Sequence, residues 1–399
     1  MPDARMRTLL RPAAVAFTVG LAMIGGGCSD TPTQANAPLT PLPILGNVVF
    51  HDTTIRALGS RTFQQYIPMN GQYNLVGSYG NYKAYTMIEF YSSSFPARDS
   101  VTVTSATLQL HSSTRFGDST ASFGFTMYRI TQSWDEATAT WDTVALGTFS
   151  DRSVAYGTYT GTVGPDSQTI TVNLDTVLAR LWLRTYTDTT TTKYGLLLIP
   201  TPGTSMVRGL YSFGADSVYL RPMVTITSTV GGETNIDSSN TGIDSFVGDA
   251  GNVATDPQLL YLQSGVAWRS TMLFDVSFIP RGAFVNSAEL RMVSSPAAER
   301  LNRYAVDSVQ AHVLLSTTDM TQYEYYTYTY GSQKGTPNVY TFDARHLVQA
   351  WVRGPNDGVL LTSDQIGETS SFDLHAFYNE TADSTRRPQL RILYSVSKQ

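Results

Sequence analysis

A single cysteine, Cys28, occurs in the 399-residue chain. Within one molecule no disulfide bond can therefore form, although small exported domains often depend on such bonds. The fold must be held by packing and hydrogen bonding alone.

Charged residues are also scarce, at 15% of the chain with a formal net charge of −5, and no basic run is present. Nucleic-acid binding depends on clustered lysine and arginine. The composition therefore argues against a nucleic-acid partner.

Recognisable catalytic motifs are missing. The sequence contains neither an HExxH motif nor a GxSxG motif, and its five histidines are scattered: His51, His111, His312, His346 and His375. A zinc site or a nucleophile elbow requires such spacing. We therefore predict a protein that is not an enzyme, and a polysaccharide-degrading enzyme is the least favoured alternative.

The N-terminus has the order of parts expected of an export signal. Arg5, Arg7 and Arg11 precede an apolar run (12–27) that is shorter than the roughly 20 residues of a spanning helix. The run ends at Cys28 and resembles a bacterial lipoprotein signal, which implies lipidation of Cys28. An ordinary cleaved signal remains the alternative. Ser29 after the cysteine favours the outer membrane of the cell envelope.

Residues 29–45 contain four prolines and no charge after Asp30, which is typical of a semi-extended tether. The rest of the chain is long enough for two domains.

Short segments that alternate between apolar and polar residues fill the rest of the chain. They include residues 100–113, 168–175, 221–230, 288–295, 311–318 and 387–396. Alternation of this kind predicts strands with one buried face, and many such strands predict an all-β sandwich or jelly roll. Residues 175–184 and 343–353 have helical spacing instead.

The two halves repeat each other. Residues 87–96 match 271–280, 103–110 match 285–292, 172–184 match 340–353, 194–200 match 357–363, and 220–226 match 386–392. Matching segments in one order indicate a duplicated domain. We therefore predict two tandem antiparallel β-sandwich domains, residues 46–230 and 231–399, with a boundary near the glycine pair at 231–232.

These segments together resemble DNRLRE domains. The features are the "SATLQL" and "SAELRM" strands, the "WDEATATW" corner (134–141), the "YGLLL" strand and the closing "RPQLRILY" strand. DNRLRE domains are jelly-roll sandwiches of bacterial surface proteins, related to the carbohydrate-binding modules of disaggregatase and alginate-lyase type. The resemblance implies carbohydrate binding. The second half lacks the tryptophan corner.

The corner itself predicts scaffold rather than catalysis. Asp135 and Glu136 are neighbours, so in an extended segment they point to opposite sides and cannot act as a pair. Trp134 and Trp141 are expected to bury their rings, while Glu136 or Thr138 accepts backbone N–H groups where the chain turns.

An oxygen-rich segment (235–252) is a candidate structural calcium site, with Asp237, Asp244 and Asp249 as ligands in a glycine-bearing loop. Its spacing is not that of an EF-hand. Ordinary turns rich in Asp and Asn are the alternative.

Tyrosine is the residue type that best suits ligand binding, because its ring has an apolar face and a polar tip. We expect Tyr326, Tyr328 and Tyr330 to form a row on one side of a strand, with Tyr323 and Tyr325 on the other side. Tyr82 and Tyr85 are further candidates. The alternative is that these rings only cover the edge of a sandwich.

Taken together, these features predict a lipid-anchored envelope protein that binds or adheres to an extracellular ligand such as polysaccharide. A structural subunit that packs against an envelope protein is the second hypothesis. In either case the membrane is contacted through the lipid anchor.

Overall fold

The structure is a computed structural model that describes residues 48–398, apart from 92–93, 97, 99, 118–120, 163, 165–167, 185–193, 252–255, 302–308 and 334–335. The predicted signal, Cys28 and the tether lie outside these residues. Phe50–Val396 form one compact unit. None of the described helices has the length and apolar character that a membrane crossing requires.

The fold is all-β and antiparallel, as predicted, and contains two sheets. The first sheet has eleven strands: β2 (Tyr73–Tyr79), β3 (Tyr82–Phe90), β4 (Thr102–Gly117), β5 (Phe123–Ile130), β6 (Ser150–Asp151), β7 (Gly157–Gly161), β8 (Gln168–Asn173), β9 (Leu196–Pro200), β10 (Met206–Tyr211), β11 (Met223–Val230) and β12 (Glu233–Asp249).

The second sheet has ten strands: β1 (Val48–Gln64), β13 (Leu259–Gln263), β14 (Trp268–Phe274), β15 (Phe284–Val293), β16 (Val309–Leu314), β17 (Tyr323–Gln333), β18 (Val339–Asp343), β19 (Val359–Ser363), β20 (Leu374–Tyr378) and β21 (Gln389–Ser397).

Period-two sequences form the strands because one face of each lies against apolar neighbours. In β11, Val224, Ile226 and Ser228 are buried and alternate with half-buried threonines and Met223. Each sheet encloses its own apolar core, one built around Leu108 and Phe125 and the other around Leu290 and Phe342.

The described helices are short: α1 (Trp141–Val144), α2 (Thr176–Arg184), α3 (Arg345–Arg353) and α4 (Gln365–Glu368), with a 3₁₀ turn at Val218–Leu220. The helices α2 and α3 confirm the predicted helical segments. Trp182 and Trp351 are buried at equivalent positions, and each packs against a phenylalanine of its own repeat, Phe90 and Phe274.

A pair of glycines shows that the sequence repeat has a structural basis. Gly195 and Gly358 are equivalent in the two repeats, with φ of 88° and 98°. A Cβ atom at these positions would lie 2.0 Å from the carbonyl oxygen of Ile88 and 2.4 Å from that of Met272. Both glycines are therefore required by the same close approach to the neighbouring strand.

The first strand of each repeat lies in the sheet of the other repeat. Strand β12 pairs with β11 and β3, whereas β1 pairs with β21 and β14, and these pairings close each sheet on itself. The sheets therefore do not separate at the predicted boundary, because β1 and β12 each cross it.

A third apolar cluster joins the repeats. The ring of Tyr82 on β3 stacks on Phe372 with the ring centroids 5.5 Å apart, and Phe246 of β12 packs in the same cluster. The segment that connects β1 to β2, residues 65–72, runs beside this cluster, where Met69 is buried.

Candidate functional site

Strand β17 contains a large bulge, because its tyrosine-rich part is longer than the strand beside it. Tyr323 lies opposite Leu314 and Tyr328 opposite His312, so β17 advances five residues while β16 advances two. The extra residues of β17 are therefore not paired with residues of β16. The predicted alternation, with Tyr326, Tyr328 and Tyr330 on one side, therefore fails within this segment.

The bulge brings the rings of both predicted sides into one continuous series. Adjacent ring centroids are 5.0–6.1 Å apart along the order Tyr330, Tyr328, His312, Tyr323, Tyr325 and Tyr326. We call this series the aromatic ladder. Its members lie on β17 except for His312, which comes from β16.

Both ends of the aromatic ladder are open to solvent, whereas its middle is not. Tyr326 is 91% exposed, Tyr330 49% and Tyr325 43%, whereas His312 is buried. Contiguous exposed aromatic surface of this kind marks binding sites more often than isolated apolar residues do. The ladder therefore offers an accessible set of ring faces and edges.

A cleft of about 410 Å³ lies beside the ladder, and we call it the tyrosine cleft. One wall is the segment between β1 and β2, and the other comes from the second sheet and α4. Its lining residues are Ile67, Pro68, Asn70, Gly71, Arg269, Gln310, His312, Tyr323, Tyr325, Thr362, Glu368 and Thr369.

A buried ion pair forms part of the lining. The Arg269 guanidinium donates to both carboxylate oxygens of Glu368, with Nε–Oε1 and Nη2–Oε2 distances of 2.7 and 2.9 Å. Its third nitrogen donates to Gln65 at 3.0 Å. The bidentate geometry fixes the direction of both side chains. The two charges neutralise each other, so the pair adds polarity to the cleft without net charge.

Burial lowers the pKa of His312 to about 4, so its imidazole is neutral at pH 7. Its Nδ1 atom lies 3.1 Å from the carbonyl oxygen of Glu324, the residue before the exposed part of the bulge. A neutral ring donates one hydrogen bond there and stays packed between Tyr323 and Tyr328. His312 therefore fixes the positions of the two tyrosine rings beside it in the aromatic ladder.

The other two tyrosines singled out from the sequence lie elsewhere, on β3. Tyr82 is fully buried between Phe372 and the Arg300 guanidinium, which is 5.4 Å from its ring centroid. The prediction that Tyr82 contacts a ligand is therefore wrong, because the second repeat covers this face of β3. Tyr85 is half-buried on the opposite face, with its ring 4.7 Å from that of Trp141.

The tryptophan corner packs on the outside of the first sheet. The Trp134 indole donates to the carbonyl oxygen of Tyr194 at 2.9 Å, and Trp134 and Trp141 are both half-buried. Asp135, rather than Glu136 or Thr138, accepts a backbone N–H of the turn, from Ala137 at 2.7 Å.

Glu136 and Thr138 have other contacts in the corner. The Glu136 carboxylate accepts a bond of 3.2 Å from Asn70, in the segment that lines the tyrosine cleft, and Tyr66 donates to its carbonyl oxygen at 3.1 Å. Thr138 is exposed. Through Glu136, the tryptophan corner therefore fixes the position of the segment that forms one wall of the tyrosine cleft.

The proposed calcium ligands are spread along a strand. The segment predicted as a loop is mostly β12, and Asp237, Asp244 and Asp249 each bind protein groups: Arg98, the Phe213 N–H and the Gly251 N–H. At about 3.3 Å per residue, Asp237 and Asp249 are far apart. No cluster of three metal-ligating side chains occurs among the residues that the structure describes.

Sequence reasoning missed Arg269, Glu368 and His312 as parts of the site. A signal was available for Arg269 and His312, since each is the only titratable residue of its strand, β14 or β16. Glu368 carried no such signal, because it is separated by 99 residues from its partner.

Comparisons with known proteins add no assignment to this geometry. No family model matches the chain, and no curated protein matches it in sequence.

Proposed function

We propose that this protein is a non-catalytic, lipid-anchored envelope protein that binds polysaccharide, with the tyrosine cleft and the aromatic ladder as its binding site. The observation that carries the proposal is the series of tilted and edge-to-face rings, exposed at Tyr325, Tyr326 and Tyr330, beside a polar cleft.

The chemistry of the cleft suits a sugar. Sugar rings present C–H faces that pack on aromatic rings, and hydroxyl groups that need hydrogen-bond partners. Gln310 and Thr362, which are buried in the lining of the cleft, are the candidate partners. A concave site with a few fixed polar groups is typical of small-ligand recognition.

The charges in the lining favour a neutral sugar chain. Arg269 and Glu368 are the ionised groups among the lining residues, and they are paired with each other. An anionic sugar would gain little from an arginine whose charge is already paired with Glu368 and whose three nitrogens each donate a hydrogen bond. We therefore expect neutral polysaccharides to bind better than anionic ones.

The anchoring part of the proposal depends on the N-terminal sequence. The apolar run that ends at Cys28, and Ser29 after it, support lipidation and placement in the outer membrane. The tether of residues 29–45 would then hold the folded part away from the membrane surface. Labelling with a radioactive fatty acid, with Cys28→Ser as the control, tests this part separately.

A binding screen tests the proposed ligand class. The fragment 46–399 is titrated with neutral and anionic polysaccharides beside Tyr326→Ala and Tyr328→Ala. Each alanine variant is expected to weaken saturable binding by about tenfold, since aromatic anchors contribute more than 1 kcal/mol. Tyr219→Ala is the matched control, because Tyr219 is 85% exposed but lies on the 3₁₀ turn of the first repeat. Equal loss in all three variants, or no binding by the folded fragment, would contradict the proposal.

A role as a structural subunit is the second candidate. A groove of about 540 Å³ beside β1 is lined by Leu58 and Phe278, which are 61% and 44% exposed. Exposed apolar side chains around a groove are typical of protein interfaces. Cross-linking in the native envelope, with Leu58→Asp as the control, distinguishes this role from sugar binding.

A further inference from the structure

The strands that begin the two repeats are equivalent in position but differ in how they are held. Both β1 and β12 have 17 residues and are followed by a connection and a short strand, β2 or β13. Strand β12 is joined at one end to β11 through Gly231 and Gly232 and continues at the other end toward β13. Among the described residues, strand β1 is joined covalently to the other strands only through residues 65–72.

Burial differs between the two strands in the same sense. Ala57 alone is buried in β1, whereas β12 buries Ser239, Thr241 and the run from Asp244 to Val247. Burial of apolar area contributes about 25 cal/mol per Å². Removal of β1 from its sheet therefore exposes fewer buried side chains than removal of β12; the buried apolar ones are Ala57 in β1 and Phe246 and Val247 in β12.

Backbone pairing and a few polar contacts hold β1 in place. It pairs with β14 from Ala57–Phe274 to Gln64–Trp268, and the hydroxyls of Thr62 and Ser270 are 2.9 Å apart. Strand β21 pairs with its other edge. The gap between β14 and β21 is thus a groove that accepts a strand by main-chain hydrogen bonds, which is the β-augmentation mode of recognition.

We propose that β1 is an exchangeable strand, and that the groove between β14 and β21 binds β1 from a second copy of this chain to form a reciprocal dimer. Each copy has one such strand and one such groove. Reciprocal exchange keeps every native strand pairing and leaves neither groove empty, as in domain-swapped dimers. The connection at residues 65–72 is the hinge. Since β1 of the same copy competes for the groove, the fraction of the protein in the dimer rises with protein concentration.

Disulfide trapping tests the exchange. The fragment 46–399 contains every described strand and no cysteine, so a single engineered thiol has no partner within its own chain. Thr62→Cys and Ser270→Cys single variants are mixed in equal amounts, incubated and then oxidised. The expected result is a disulfide-linked pair that contains one of each variant, with a yield that rises with concentration and incubation time.

The first repeat provides a matched control. Thr225 on β11 and Ser238 on β12 are also opposite each other, with their hydroxyls 3.0 Å apart. Because β12 is held at both ends, a mixture of Thr225→Cys and Ser238→Cys is expected to give several-fold less mixed disulfide. Equal yields from the two mixtures would overturn the proposal, since global unfolding would then explain both.

Two further measurements test the exchange of β1. The Thr62→Cys, Ser270→Cys double variant should form its internal disulfide readily. If it does and the mixed single variants still form no disulfide with each other, exchange of β1 is excluded. Light scattering of the unmodified fragment should show a dimer fraction that rises with concentration. A monomer at every concentration would exclude it as well.

Discussion

Arg269 and Glu368 form a bidentate ion pair between β14 and α4, with side chains that are only 4% and 7% exposed. Loss of one partner leaves a buried charge without compensation, which costs about 3–5 kcal/mol. We therefore expect Glu368→Gln to lower the free energy of unfolding by about that amount in urea denaturation at pH 7.

The control for Glu368→Gln is Asp383→Asn, which breaks the ion pair between Asp383 and Arg386, two side chains that are each 45% exposed. Solvent screens exposed pairs, so a much smaller change is expected. Equal losses of unfolding free energy in the two variants would contradict the prediction, because the buried Arg269 charge would then not need Glu368 as its partner.

His312 should make stability decrease as the pH falls. Burial lowers its pKa to about 4 in the folded state, whereas an unfolded histidine titrates near pH 6.5. Between these values the unfolded chain binds a proton that the folded protein does not. Stability is therefore lost as the pH falls from 6.5 toward 4, by roughly 2–3 kcal/mol. Unfolding of the fragment 46–399 at pH 7 and pH 4.5, beside His312→Asn, measures this. The same pH dependence in both proteins would contradict the prediction.

Asp244 should act in the opposite direction. Burial raises the pKa of this carboxyl group to about 6, although the backbone N–H of Phe213 donates to it at 2.7 Å. The folded protein binds a proton here between pH 6 and the ordinary carboxyl range, so stability is gained as the pH falls through 6. The gain is about 2 kcal/mol. Asp244→Asn should remove it, so that the variant loses more stability than the unmodified fragment between pH 7 and pH 4.5. A smaller loss in the variant would contradict the assigned pKa.

Gly331 on β17 is required by its neighbour. A Cβ atom there would lie 2.1 Å from Cζ of the buried Phe342 ring. Gly331→Ala is therefore expected to cost about 1–3 kcal/mol through overpacking. Gly59 on β1 is the matched control, because a Cβ atom there meets nothing within 4 Å. Gly59→Ala should be neutral or slightly stabilising in the same thermal unfolding experiment. Equal melting temperatures for the two variants would show that Phe342 moves aside.

The sequence was sufficient to predict what depends on local periodicity. Alternation predicted β4, β8 and β11, and helical spacing predicted α2 and α3. The positions of these elements depend on the spacing of apolar residues within one segment, and that spacing can be read from the sequence.

What the sequence did not show depends on partners far along the chain. Alternation places Tyr82 on a face of β3, but only the packing of Phe372 makes that face buried. The bulge in β17 arises from its register against β16, where Tyr328 lies opposite His312. No local pattern encodes either relationship. The placement of β1 and β12, each in the sheet of the other repeat, likewise depends on residues far along the chain.

Because β1 of the first repeat lies in the sheet of the second repeat, it determines how a mechanical load passes through the molecule. A pull on the chain at Val48 enters β1, and β1 transmits it to β14 and β21 of the second repeat. Along the chain, the load reaches the first repeat through residues 65–72, after β1 has separated from its neighbours. The repeat that is farther along the chain therefore resists the pull first, and the first repeat, with β12 in place, is shielded until β1 yields.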